Sequence, residues 1–171
     1  DGTIGTWATL NTLAALRQHL SAAAYNGYIF VTGGDISSSS AGTSTVYSAA
    51  ILADGRIGTW QTLTVMPKRN NTHTSVISNG YLFVIGGQDS GVAIYNSVFS
   101  APIKDDGTIG TWATLNTLPG FRAYPQAVAA NGYLYVSGGS TDGGGTYVST
   151  VFSAKVNADG TIGTWATLNS L

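Results

Sequence analysis

Asp1-Gly-Thr-Ile-Gly-Thr-Trp7 returns as Asp106 to Trp112 and as Asp159 to Trp165, and with one change (Arg56) as Asp54 to Trp60. The four tryptophans are spaced 53, 52 and 53 residues apart. Residues 1–13 and 106–118 are identical, and 159–171 differs from them only at Ser170. Three further markers keep the same period. They are Asn26-Gly27-Tyr28 with Asn79-Gly80-Tyr81 and Asn131-Gly132-Tyr133, the pairs Gly33-Gly34, Gly86-Gly87 and Gly138-Gly139, and the strings Thr45 to Ala49, Ser97 to Ala101 and Thr150 to Ala154. A fixed order of markers at a period near 50 is the signature of a repeat architecture, in which each unit buries its apolar face against the next.

Each unit is expected to hold four strands. A short strand a of small residues covers 20–25, 73–78 and 125–130. Asn-Gly follows, a hairpin signal because both turn positions need positive φ. Strand b, as in Tyr81-Leu82-Phe83-Val84-Ile85, is apolar on both faces, which suits a strand between two neighbours. Strand c is placed at about 44–51, 94–103 and 147–156. Asp-Gly then turns the chain into strand d, which carries Ile57 and Trp60, Ile109 and Trp112, and Ile162 and Trp165. Small residues on strand a fit a crowded axis, and the large aromatics fit the spaces between units.

Composition narrows the class. Charged residues make up 9% of the 171, the formal net charge is −1, and all eight acids are Asp. Such a balance offers no electrostatic basis for nucleic-acid or anionic-membrane binding. Cysteine is absent, so disulfides and thiolate metal sites are ruled out. That absence suits an exported bacterial protein that does without disulfides. No stretch approaches the roughly 20 apolar residues of a membrane helix. The chain opens without Met, as expected of a mature product or a piece of a longer protein.

An apolar strand, Gly-Gly, a later aromatic and then Trp is the order of the kelch motif, and the chain resembles kelch-type repeats over its whole length. The expected fold is therefore all-β, a β-propeller of four-stranded antiparallel blades. The chain should supply three blades plus one extra outer strand: residues 1–13 as strand d of a preceding blade, then 14–66, 67–118 and 119–171. Trp7, Trp60, Trp112 and Trp165 are read as inter-blade packing, and the glycine pairs as scaffold.

In a meander of this kind the a–b and c–d turns share one side, and the b–c loops and d–a connections share the other. The second side is the variable one, and binding residues tend to sit in such loops. Its candidate ligand-binding residues are Arg17, Asp35, Lys68, Arg69, Asp89, Phe121, Arg122, Tyr124, Asp142 and Tyr147. A glycan or a loop of another protein is the expected ligand, on an exported or cell-surface protein. No cofactor or metal is expected. His19 and His73 are the only histidines and stand one repeat position apart, and the turn aspartates stabilise their own turns. Gly143-Gly144-Gly145 lacks the lysine and the strand–loop–helix context of a phosphate loop.

The resemblance also brings enzymes into view. The copper chemistry of galactose-oxidase relatives needs a Cys–Tyr crosslink, and a sialidase needs Glu beside its arginines; this chain has neither Cys nor Glu. The main expectation is a non-catalytic binding module. A second is a structural repeat that self-associates through open blade edges into a ring or fibre, linked by the spare strand 1–13. A third is a piece of a propeller enzyme whose catalytic residues lie elsewhere.

Overall fold

The computed structural model describes residues 3, 5–13, 15–36, 41–90 and 93–169. The described residues form three four-stranded antiparallel sheets and one small hairpin, with no helix. Blade 1 is β1 (Ser21–Tyr25), β2 (Tyr28–Thr32), β3 (Val46–Ala50) and β4 (Gln61–Thr62). Blade 2 is β5 (Thr74–Ser78), β6 (Tyr81–Ile85), β9 (Val98–Pro102) and β10 (Ala113–Thr114). The hairpin of β7 (Gln88–Asp89) and β8 (Ala93–Ile94) sits in the b–c loop of blade 2. Blade 3 is β11 (Gln126–Ala130), β12 (Tyr133–Ser137), β13 (Val151–Lys155) and β14 (Ala166–Thr167). Within each blade the strands pair in chain order, and the inner strands β1, β5 and β11 lie side by side. The architecture is the expected all-β one, an arc of propeller blades.

Strand d differs from expectation. Only the two residues after each tryptophan pair as a strand. Ile57, Ile109 and Ile162 make single bridges to Ile51, Ile103 and Val156. Between these contacts the tryptophans leave the ladder and reach across to the preceding unit. The Trp60 indole N–H donates to Asn11 O at 3.3 Å, Trp112 to Thr64 O at 3.2 Å and Trp165 to Asn116 O at 3.1 Å. Trp7 does not pack between blades as expected: it is 88% exposed, and residues 5–13 form no strand. Asn11 nonetheless lies on blade 1 as Asn116 lies on blade 3. Its amide donates to Ile57 O at 2.8 Å, and that of Asn116 to Ile162 O at 3.3 Å.

The apolar cores lie between blades. Phe30, Val46, Met66, Leu82, Val84 and Ile109 fill the space between blades 1 and 2. Phe83, Ile85, Val98, Leu134, Phe152 and Ile162 belong to the cluster between blades 2 and 3. The two-sided apolarity of β6 follows, because its alternate side chains enter different cores.

Glycine permits the close approach of one blade to the next. A Cβ on Gly107 (φ +76°) would collide with the Tyr28 ring, and one on Gly160 (φ +77°) with the Tyr81 ring. Gly55, the same turn position in blade 1, has φ +80° and open space around it. A left-handed alanine costs roughly 1–2 kcal/mol wherever it is placed. Gly107→Ala adds overpacking of about 1–3 kcal/mol. Gly107→Ala is therefore expected to lower the urea midpoint clearly more than Gly55→Ala; equal losses would show that the tyrosine seat carries no packing energy.

Candidate functional site

The b–c loops and d–a connections meet on one side, as the bridges Gln18–Asp35–Gly42, Asn71–Gln88 and Ala123–Ser140–Tyr147 show. Asp35, Gln88 and Ser140 follow the glycine pairs at matching positions, and all three are buried. Asp35 accepts from His19 Nδ1 at 3.0 Å and from Asn71 Nδ2 at 3.2 Å, both on Oδ2. Its Oδ1 and the Oε1 of Gln88 are buried without a hydrogen-bond partner. Buried acceptors left unmet cost roughly 1–3 kcal/mol each, so a pair of them on the candidate face is a notable expense of stability.

Near the axis a backbone ladder joins the blades. Thr72 N donates to His19 O at 3.0 Å, and Tyr124 N to Thr72 O at 2.8 Å. These three residues are repeat equivalents, and all have positive φ, at 51°, 54° and 56°. Such a conformation is uncommon outside glycine and strained for a β-branched side chain such as Thr72. The His19 and Tyr124 rings meet edge to face at 6.1 Å, so the two outer blades touch across the middle one. Sequence reading missed this constellation. Its signal was the register itself, since His19, Thr72 and Tyr124 align once the 53- and 52-residue steps are applied.

The predicted site residues fall into two groups. Arg122 is 4% exposed; its guanidinium donates to Phe121 O at 2.7 Å and Thr150 Oγ1 at 2.5 Å and lies 4.8 Å from the Phe152 ring centroid. Burial pulls its pKa below the usual arginine value. Arg17, its equivalent, donates to Thr43 Oγ1 at 2.5 Å and Tyr47 Oη at 3.3 Å. Asp142 is taken up by its own loop, accepting from Ser140 Oγ, the Gly145 and Thr146 amides and Thr146 Oγ1 at 2.7–2.8 Å. These donors hold its carboxyl far below the ordinary range, the Thr146 amide most of all. Asp89 bonds Gly42 N at 2.8 Å across the blade boundary, and Arg69 bonds Gly42 O at 2.7 Å. These residues hold loops in place. Phe121, Tyr124 and Tyr147 are exposed, as are Lys68 and Arg69. Lys68 lies over the Tyr95 ring at 4.8 Å.

Among the described residues no three His, Asp, Glu or Cys side chains gather as metal ligands, and no helix is long and apolar enough to cross a membrane.

Antiparallel four-stranded blades, inner strands side by side and cores between blades define the chain as an arc of a β-propeller. No protein-family model matches it. Beta-scruin of Limulus polyphemus is 30% identical over 142 residues, which is 81% of this chain and 15% of that protein. The solved structure of YjhT superimposes with a TM-score of 0.73 at 16% identity, covering 95% of this chain and 54% of that one. The chain thus spans about half the length of that neighbour and a small part of beta-scruin. Both likenesses fit a kelch-like propeller.

His73 gives the variable side a pH dependence. It is fully buried, bonded through Nε2 to Thr32 Oγ1 at 2.8 Å, and burial pushes its pKa down to about 4. With an ordinary unfolded value near 6.5, the unfolded chain takes the proton first as pH falls. Stability present above about pH 6.5 is therefore lost toward pH 4, by a few kcal/mol in order of magnitude. The turn aspartates Asp54, Asp106 and Asp159, held below the usual carboxylate value by their own turn donors, act only at lower pH. Urea unfolding of His73→Gln should show a much smaller loss over that window than the parent chain; parallel pH profiles would reject the assignment.

Proposed function

We propose that the chain is a non-catalytic binding module that takes a protein segment on its variable face, against the exposed rings of His19, Phe121 and Tyr124. The carrying observation is the meeting of His19 and Tyr124 at the strained ladder near the axis, on a variable side where Phe121, Lys68 and Arg69 are exposed as well. Aromatic and arginine side chains are what protein interfaces favour at their centres. The strained backbone fixes the rings in advance, so binding requires little ordering. Arg17, Arg122 and Asp142 support this surface from beneath or from their own loops.

A glycan is the second reading, and the exposed rings of Phe121, Tyr124 and Tyr147 on the same face favour it.

The test is panning of a random displayed-peptide library, run beside a glycan array. Tyr124→Asn and His19→Asn preserve the left-handed backbone, which asparagine tolerates. Each of these variants, and Phe121→Ala, is expected to weaken selected peptides at least about tenfold, or 1.4 kcal/mol; the melting transition stays unchanged in Tyr124→Asn and Phe121→Ala and falls in His19→Asn, which removes a partner of buried Asp35. Glycan binding lost in Tyr147→Ala, with peptides selected by neither form, would favour the second reading. Ligands indifferent to all four substitutions would reject both.

A further inference from the structure

We propose that the segment taken on the variable face is an acidic one, its carboxylates received by Lys68 and Arg69 and its apolar side chains by Phe121. The inference rests on the protein-binding reading above and adds to it the charge of the partner.

The cations of this side fall into two classes. Arg17 and Arg122 spend their guanidinium groups inside the chain, on Thr43 and Tyr47 and on Phe121 O and Thr150. Lys68 and Arg69 are exposed, and among the described residues neither makes an ion pair. The acids are already engaged. Asp35 is buried against His19 and Asn71, and the Asp142 carboxylate is enclosed by donors of its own loop. Free positive charge on a side whose carboxylates are occupied favours an anionic partner over a cationic one.

Asp89 lies near Arg69, yet the fold holds the two apart. Arg69 Nε donates to Gly42 O at 2.7 Å, and Gly42 N donates to Asp89 Oδ1 at 2.8 Å. One glycine thus takes up both charges on its two polar groups. The far edge of the Arg69 fork, Nη1 and Nη2, is left without a partner among the described residues. A guanidinium fixed at Nε presents that edge to a carboxylate with less side-chain freedom to lose. Lys68 is steadied in a similar way, its Nζ 4.8 Å from the centroid of the Tyr95 ring.

Tyr95 also connects the cations to the aromatic part of the face. Its carbonyl accepts from Arg122 N at 3.0 Å, and the residue before Arg122 is Phe121, 53% exposed. Arg69 and Phe121 are repeat equivalents, 52 residues apart. The residues that follow them, Asn70 and Arg122, give their carbonyls to Gly34 and Gly87 of the blade before. Blades therefore stand on both sides of each, and their exposure does not depend on where the chain ends. The fold itself does not ask for the cations: the same two positions are Ala15 and Leu16 in blade 1, and Gly120 and Phe121 in blade 3.

Two displayed-peptide pools test this, one random and one with Asp and Glu replaced throughout by Asn and Gln. The expected binders come from the first pool, carry Asp or Glu beside an apolar residue, and weaken as NaCl rises from about 50 to about 500 mM. Lys68→Gln, which breaks no hydrogen bond of the structure, and Arg69→Gln should each weaken them roughly threefold to fivefold and flatten the salt dependence. Lys104→Gln makes the same charge change at an exposed position on the opposite side and should leave binding as it was. Peptides from both pools that need Phe121 yet ignore Lys68→Gln and Arg69→Gln overturn the acidic partner and leave the protein-binding reading standing. Equal losses in Lys68→Gln and Lys104→Gln assign the effect to net charge and overturn the site. No binder from either pool removes the reading and this inference together.

Discussion

The approach of one blade to the next governs the rest of this structure. No single blade has a core: each is one sheet, and its apolar side chains become dry only against another sheet. Glycine is what lets two sheets come close enough. Gly107 lies on the ring of Tyr28 and Gly160 on that of Tyr81, where a methyl group would have no room. Gly34 and Gly87 bring an amide to the carbonyls of Asn70 and Arg122. Burial, hydrogen bonding and backbone freedom are satisfied at one place, and that explains why all three markers keep a common period.

The two sides of the arc divide their work. On the side of the tight turns, side chains close their own loops, as Asp106 does with the Thr108 amide and hydroxyl. On the variable side the loops tie blades together. Asp89 bonds Gly42 of the preceding blade, and Thr32 bonds His73 and Ser75 of the next. Polar groups buried there carry a cost unless every one is matched. Among those left over are Asp35 Oδ1, whose other oxygen meets His19, and Thr72 Oγ1, both at the strained ladder of His19, Thr72 and Tyr124. Strain and unmet acceptors in one place, on a face of varied loops, are what distinguish this side from scaffold.

The blade was legible in the sequence because its determinants are local. Asn-Gly and Asp-Gly impose turns whatever surrounds them, and the two-sided apolarity of Tyr81–Ile85 announces a strand with neighbours on both faces. Strand d was legible only in part. Trp60 was read as part of strand d, but its indole N–H finds a carbonyl in the preceding unit, and the ladder is interrupted between Ile57 and Gln61. The site was less legible for the same reason. Arg122 and Asp142 look like binding residues by type, yet Phe121 O, Thr150 and the loop amides consume their polar atoms, and partners of that kind lie many residues away or on the backbone. His19 was passed over because a lone histidine carries no pattern; only its alignment with Thr72 and Tyr124 reveals it.

That alignment also separates two kinds of repetition. Positions identical in every unit, such as the Asp-Gly glycines, answer to a junction that is the same each time it is made. Positions equivalent in backbone but different in side chain answer to something else. His19, Thr72 and Tyr124 share one unusual conformation and one hydrogen-bond role, which a glycine would fill with less strain. The scaffold asks only for the backbone. The imidazole also meets buried Asp35, whereas the phenol of Tyr124 is surplus to the scaffold, and both rings are exposed on the variable face. Side chains held there at a conformational cost that glycine would reduce carry the chemical individuality of this face.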